Sequence, residues 1–288
     1  MGSLWMLVAG LAFAGMGVFA KLGAAHFSSA ELVFYRSVVG CLTIGLLAQA
    51  RRWPIATPHW RLHLGRGVAG VVSLGLYFHC LTKLPLATAV TLNYTSPLFL
   101  AVLTTLLLHE RFHASLVAAL ALSFAGVVLL LEPTLRDDQV FDGLLGLASG
   151  ALAAVAYLNV KQLGATGEPG WRVVFYFTLL STIVAGTWVL VAGPSPVTMD
   201  NIHLLLGLGA TATVGQFTMT RAYHAGQTLV VGALSYSTVV FSTLLAAALW
   251  QEAPPAVGWI GIALIIAGGV ASLRAGRDDS GKFRPSRS

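Results

Sequence analysis

The sequence predicts an all-α integral membrane protein of ten transmembrane helices, built from two inverted five-helix repeats. Three observations predict it: an apolar composition, ten separate apolar runs, and a correspondence between the two halves of the chain. Of the 288 residues 56% are hydrophobic and a further 31 are glycine, while only 10% are charged. An ordinary soluble domain is about half apolar and about a quarter charged. A bilayer-crossing helix takes about 20 predominantly apolar residues, which leaves room for about nine or ten spans and little else. That balance excludes a soluble enzyme. It also removes nucleic acid as a partner implied by the formal net charge of +6, because a chain this poor in charge must face lipid over most of its surface.

A window of about 19 residues places spans near residues 4–20, 32–48, 64–81, 86–108, 116–131, 144–160, 173–191, 204–220, 229–250 and 257–273. The expected organisation is a first repeat over residues 1–132, a linker over 133–143, a second repeat over 144–273 and a cytoplasmic tail over 274–288. That tail is rich in charge, Ser and Gly, and disorder is expected there. The N-terminal run has no basic residues before it and no clear processing site, so it is taken as the first span rather than a secretory signal. Cys41 and Cys80 lie inside apolar runs and form neither a disulfide framework nor a zinc spacing. No metal or cofactor is expected.

The repeat is weak but ordered along the chain. Shifted by 140, Leu4, Leu7, Gly10, Ala14 and Lys21 fall on Leu144, Leu147, Gly150, Ala154 and Lys161; shifted by 142, Leu92, Tyr94, Phe99, Leu103, Glu110, Ala125 and Gly126 fall on Leu234, Tyr236, Phe241, Leu245, Glu252, Ala267 and Gly268. Each repeat holds five spans, an odd number, so the second must enter the membrane in the opposite direction from the first. Two such halves can exchange conformations and expose one midplane site to each side in turn.

Lys and Arg set the orientation. With the N-terminus cytoplasmic, the inner side collects Arg51, Arg52, Arg61, Arg66, Arg111, Lys161, Arg172, Arg221 and the basic tail, and the outer side only Lys21, Arg36, Lys83 and Arg136. Both termini are therefore expected inside. The tryptophans fall near span ends, where amphipathic rings anchor at the headgroup level.

The fourth span with Ser96-Pro97 and the run Leu108-His109-Glu110-Arg111-Phe112, the second span with Phe34-Tyr35-Arg36-Ser37, and Gln251-Glu252 after the ninth span carry a resemblance. Over about residues 3–273 the chain resembles the EamA-type drug/metabolite transporter superfamily, and within it most resembles the bacterial YddG-type amino-acid exporters. The resemblance implies a multi-pass inner-membrane carrier of a small molecule. One departure stands out: a proline often found in the second repeat opposite Pro97 is Val239 here, so the expected hinge at Pro97 has no symmetrical partner.

Polar residues inside the spans supply the candidate site. Asn93-Tyr94-Thr95-Ser96 and Ser235-Tyr236-Ser237-Thr238 both start about eight residues into their spans, or about 12 Å at 1.5 Å per residue, near the middle of a core about 30 Å thick. Tyr94 and Tyr236 are expected to meet across the pseudo-twofold axis, with Asn93, Ser96, Ser235 and Thr238 beside them. Hydroxyls and amides suit a zwitterion or a neutral solute, and tyrosine rings add an apolar wall. The competing reading is that these hydroxyls only bond neighbouring helices. Pro97 removes a midspan hydrogen bond and should bend the fourth span or free a carbonyl near Asn93. Tyr77, His79, Tyr157 and Gln216 form a second tier of cavity candidates. Arg36, about one turn inside the second span, offers a guanidinium for a carboxylate, unless it snorkels or pairs with Glu31. Lys21 and Lys161 are repeat equivalents near opposite faces and are the gate candidates. Glu110 and Glu252 are expected to pair loops.

No Asp or Glu lies deep in any span, so a proton- or sodium-coupled carrier has no obvious carboxylate to use. The expected mechanism is therefore facilitated diffusion, and the resemblance implies export of amino acids, aromatic and other neutral ones, by alternating access. The alternative that the resemblance to related families implies is a carrier for a larger metabolite such as riboflavin or S-adenosylmethionine, with proton coupling left open. An intramembrane enzyme lacks its motifs, having no HExxH, no paired carboxylates and no Ser/His dyad at depth. A channel would need a continuous polar face, whereas these polar clusters sit at the midplane. The expected partners are a small-molecule substrate and the bilayer; the sequence sets no oligomeric state and is compatible with a monomer.

Overall fold

The computed structural model describes residues 2–110 and 112–282, with side chains to 276. Arg111, at the centre of the Leu108–Phe112 run, and the end of the basic tail lie outside the described residues. Every regular element described is helical: α1 (Trp5–Gly23), α2 (Ser29–Ala50), α3 (Trp60–Lys83), α4 (Leu86–Asn93), α5 (Ser96–Leu108), α6 (Ala114–Leu131), α7 (Val140–Ala165), α8 (Gly170–Ala192), α9 (Met199–Ala225), α10 (Thr228–Ser235), α11 (Ser237–Trp250) and α12 (Ala256–Lys282). Counting α4 with α5 and α10 with α11, ten helical segments are long and apolar enough to cross a membrane.

The apolar runs locate the spans, and local caps decide where the helices begin. Ser28 opens α2 with a capping box, its backbone N–H donating to Glu31 Oε2 at 2.8 Å while Glu31 N–H donates to Ser28 Oγ at 3.4 Å. Thr198 and Asn201 open α9 in the same way. Several helices run past the apolar windows, α3 starting at Trp60 and α7 continuing to Ala165. An established helix gains a hydrogen bond for each residue added, so it does not stop where hydropathy falls. The same holds for α12, which continues to Lys282 where a disordered tail was expected from residue 274.

α1 packs on α9, α7 on α3, α2 on α8 and α6 on α12; α1 also crosses α11, and α7 crosses α5. Small residues permit the closest approaches, as in other membrane helix pairs. A Cβ at Gly126 of α6 would lie 2.6 Å from Gly261 O of α12, and a Cβ at Gly261 2.6 Å from Gly126 O. Leu46, Leu106, Leu190 and Val191 lie on the outer surface, the last 90% exposed. That apolar coat is what a lipid-facing exterior requires.

Candidate functional site

The candidate site is built on two interrupted spans. In the fourth, α4 ends at Asn93, Tyr94 and Thr95 form a turn, and α5 restarts at Ser96 with Pro97 in its first turn. Pro97 has no N–H to give to the Asn93 carbonyl four residues earlier, and within the turn Thr95 Oγ1 donates to Leu92 O at 2.5 Å. In the ninth span the break falls on Tyr236 alone, between α10 and α11. Val239 stands there in place of a proline, so the interruption does not need one. Ser235 Oγ donates to Gly232 O at 2.7 Å, a local bond of the kind that competes with the helical ladder and bends it.

Each break rests on a glycine of the opposite half. A Cβ at Gly150 of α7 would press on Thr95 Oγ1 and lie 2.8 Å from Leu92 O; a Cβ at Gly10 of α1 would lie 2.7 Å from Ser237 Oγ and 3.2 Å from Thr238 N.

The two tyrosines come together. Their ring centroids lie 6.1 Å apart at 39°, and Phe124 lies 6.0 Å from Tyr236 on another side. Tyr236 is fully buried and its hydroxyl has no hydrogen-bond partner among the described residues. Tyr94 lies beside Thr238, with Tyr77 and Tyr157 as further neighbours. Tyr157 stacks on Tyr223 at 5.3 Å. Asn93 is turned towards α7, where its Nδ2 donates to Ser149 Oγ at 3.1 Å. Ser96 and Ser235 are buried at the breaks. His79 is not part of this group. It lies exposed near the end of α3, with Nε2 2.9 Å from Asp142 Oδ1.

A cleft between α2, α8 and α9 is lined by Arg36, Phe177, Thr178, Thr213 and Gln216. Arg66 of α3 reaches its edge, donating from Nη2 to Gln216 Oε1 at 3.3 Å and lying 3.9 Å over the Phe177 ring. Arg66 is only 3% exposed and its Nε has no partner among the described residues. Arg36 Nη1 finds Met16 Sδ at 3.3 Å. The carboxylate expected to compete for Arg36 is engaged elsewhere, because Glu31 accepts from Ser28 and from Ser195 N–H and Oγ at 2.5 and 3.0 Å. From the sequence Arg66 reads only as an inner-side charge. The signal for its burial was Trp60, an interfacial anchor six residues earlier that puts Arg66 nearly two turns inside α3.

The gate candidates pair across the halves. Lys21 Nζ lies 2.7 Å from Glu252 Oε1 and 4.1 Å over the Trp250 ring, in an exposed position. Lys161 donates to Glu110 and to Thr228 Oγ1 in a more buried one. Glu110 and Glu252 each follow a residue in the left-handed region, His109 (φ 55°) and Gln251 (φ 58°), so the chain turns alike after both interrupted spans.

A further knot joins two connections. Glu168 accepts from Thr57 Oγ1 and from Arg172 Nη1 at 2.6 Å, Arg172 Nη2 donates to Pro54 O at 2.6 Å, and His63 Nε2 stands 3.9 Å from Glu168. Burial pushes the Glu168 carboxyl upward, but the hydrogen bonds from Thr57 and Arg172 and the charge of Arg172 outweigh it and hold it below the ordinary carboxylate range.

This architecture has known relatives. Residues 1–132 and 142–274 match the EamA-like transporter family. The chain belongs to that family. The transporter is 30% identical over 273 residues to the pseudopaline exporter of Pseudomonas aeruginosa, covering 95% of this chain and 96% of that one. It is 29% identical over 285 residues to a riboflavin transporter of Rhizobium johnstonii, covering 95% and 91%. A crystal structure of a 22% identical protein matches with a TM-score of 0.85, over 96% of this chain and 98% of that one, and shows the shared fold. This EamA-like protein is thus a multi-pass membrane transporter of a small molecule and not an enzyme.

Proposed function

We propose that this EamA-like transporter exports amino-acid-type solutes by alternating access between two inverted five-helix repeats, over about residues 1–132 and 144–273, in a bacterial inner membrane with both termini cytoplasmic. The observation that carries this reading is the meeting of the two interrupted spans. Tyr94 and Tyr236 stand ring to ring at 6.1 Å, each on a helix break seated against a glycine of the opposite half. A break frees backbone groups and lets a half-helix swing without unfolding its neighbour. The pairs Lys21–Glu252 and Lys161–Glu110 lie at the ends of these spans and close opposite entrances. Glu31 and Glu168, the acids buried among the described residues, are held near helix ends by hydrogen bonds from Ser28 and Ser195 and from Thr57 and Arg172. Neither is placed to ferry a proton through the midplane, which supports movement down the solute's own gradient.

The second reading, carriage of a larger ring system, draws on the Tyr157–Tyr223 stack and on relatives named as riboflavin transporters. Proteoliposomes decide between them. Labelled amino acids and riboflavin are offered with and without a proton gradient, to the parent protein and to Tyr94→Ala and Tyr236→Ala. The expected result is saturable amino-acid movement without a proton gradient, lowered at least tenfold in either variant. Movement of riboflavin alone, or none without the proton gradient, would replace the cargo or the mechanism.

A further inference from the structure

Arg66 is buried in the interior of this protein and Arg36 is half-buried in the same cleft, and among the described residues no carboxylate is paired with either. Arg66 is 3% exposed and makes one hydrogen bond among the described residues, to the neutral Gln216, at 3.3 Å. Arg36 lines the same cleft, and among the described residues its guanidinium donates only to a thioether, Met16 Sδ at 3.3 Å. The two repel one another, and Tyr157 lies near both. The ion pairs of the described residues all use other cations. Buried charges are ordinarily paired, because taking a charge out of water is costly unless an opposite charge replaces the lost solvation. Guanidinium cannot escape by losing its proton at any physiological pH. The remaining way to neutralise the pair is an anion supplied from outside. Planar guanidinium forks match carboxylates in geometry as well as charge.

We propose that the cleft between Arg36, Arg66 and Gln216 is an anion-binding subsite, and that the cargo is an organic acid of net negative charge, holding at least two carboxylates when it also carries an amine. The inference rests on the carrier reading above and narrows its cargo. The carboxylates face the arginines, and the carbon skeleton lies towards Tyr157 and, beyond it, Tyr94. A charged cargo also sets a direction. The cell interior is electrically negative, so a net anion is driven outward without any coupling ion. A carrier with no acidic residue at its midplane among the described residues can then still export against a modest opposing gradient of its cargo.

The first arm of the test is ligand stabilisation of the purified protein, using L-glutamate, succinate and citrate beside the neutral L-glutamine and succinamide. Carboxylates are expected to raise the unfolding temperature and the amides to leave it unchanged. Arg66→Gln abolishes the response, whereas Arg66→Lys keeps part of it. Without ligand, Arg66→Gln melts no lower than the parent, because an uncompensated charge has gone, and this shows that the variant is folded. Equal stabilisation by acids and amides, no response to any of the three acids, or a response that survives Arg66→Gln would overturn the subsite.

The second arm is efflux of labelled glutamate, succinate and glutamine from proteoliposomes under an imposed inside-negative or zero potential. An inside-negative potential is expected to speed efflux of the acids at least threefold, and Arg66→Gln to slow it at least tenfold. Glutamine efflux indifferent to potential and to Arg66→Gln, with acids unmoved, would overturn the anionic cargo while leaving the carrier reading in place. Carboxylate stabilisation in the first arm with no solute moved in the second would uphold the subsite and count against the carrier reading.

Discussion

A buried hydroxyl without a partner carries a desolvation cost of about 1–3 kcal/mol, and the fully buried Tyr236 Oη is such a group among the described residues. Tyr236→Phe removes the hydroxyl and keeps the ring that packs on Tyr94 and Phe124. The variant is expected to be as stable as the parent or up to about 1 kcal/mol more stable, while transport falls at least fivefold. Thermal unfolding beside proteoliposome flux checks both, and a variant with full flux would assign the hydroxyl no part in the site. Glu168 gives the opposite case, a polar group whose every bond is stabilising. Its lowered pKa means that the unfolded chain holds the proton more tightly than the native protein does. The stability it contributes is therefore complete above the ordinary carboxylate pKa and is lost as pH falls through the native value. Glu168→Gln should cost about 3–5 kcal/mol, as breaking one side of a buried ion pair does, and should flatten the loss of stability seen on acidification below about pH 4.5. Unfolding curves of both proteins from pH 7 to 3 measure it. At this scale the proximity of Tyr94 and Tyr236 was legible in the sequence, because the repeat equates them. It did not reveal the isolation of Arg66, because pairing depends on where Glu31 and Glu168 spend their hydrogen bonds, and those partners come from distant segments.

Helix existence was legible in the sequence for a simple reason: each span must supply its own apolar run. Helix interruption was legible only on one side. Pro97 announces a break in the fourth span, but the ninth breaks at Tyr236 with Val239 in the corresponding place. The common cause is tertiary, since each bend is seated on a glycine of the other half, Gly150 under Leu92 and Thr95, Gly10 under Ser237 and Thr238. Periodicity in an almost uniformly apolar helix gives no rotational signal, so neither seat was readable except as a spacing of small residues. The seats make a prediction about elements. Gly150→Ala places a methyl 2.8 Å from Leu92 O, closer than Cβ contacts are found, and Gly10→Ala places one 2.7 Å from Ser237 Oγ. Overpacking of this kind costs about 1–3 kcal/mol. Gly150→Ala should cost more, because it meets backbone, whereas the Ser237 hydroxyl near Gly10 can rotate away. Flux should fall in both, and a control at Gly17, where an added methyl meets nothing within 4 Å, should keep parental stability and flux.

The molecule as a whole carries two Lys–Glu pairs in equivalent places and unequal surroundings. Lys21 and Glu252 are 47% and 58% exposed at their side chains, Lys161 and Glu110 20% and 34%. Exposed ion pairs contribute about 0–1 kcal/mol, whereas a less exposed pair is screened less and gains from the added bond to Thr228. If the pairs are the closures of an alternating-access carrier, that difference biases the resting equilibrium towards closure on the Lys161 side. Removing each should then have unequal effects. Lys161→Ala is expected to shift the equilibrium by about tenfold, equivalent to about 1.4 kcal/mol, and Lys21→Ala by less than about fivefold. A cysteine placed at Thr238 in a background with Cys41 and Cys80 replaced by alanine reports the shift through its rate of reaction with a membrane-impermeant maleimide. Lys161→Ala should speed labelling from the side where Glu110 lies and slow it from the other. Exchanging the pair, Lys161→Glu with Glu110→Lys, keeps the attraction and reverses its sense, so it should return labelling towards the parental rates. An exchange variant as open as Lys161→Ala would mean that the lysine acts through packing and Thr228 rather than through its charge, and the two entrances would then need another explanation for their bias.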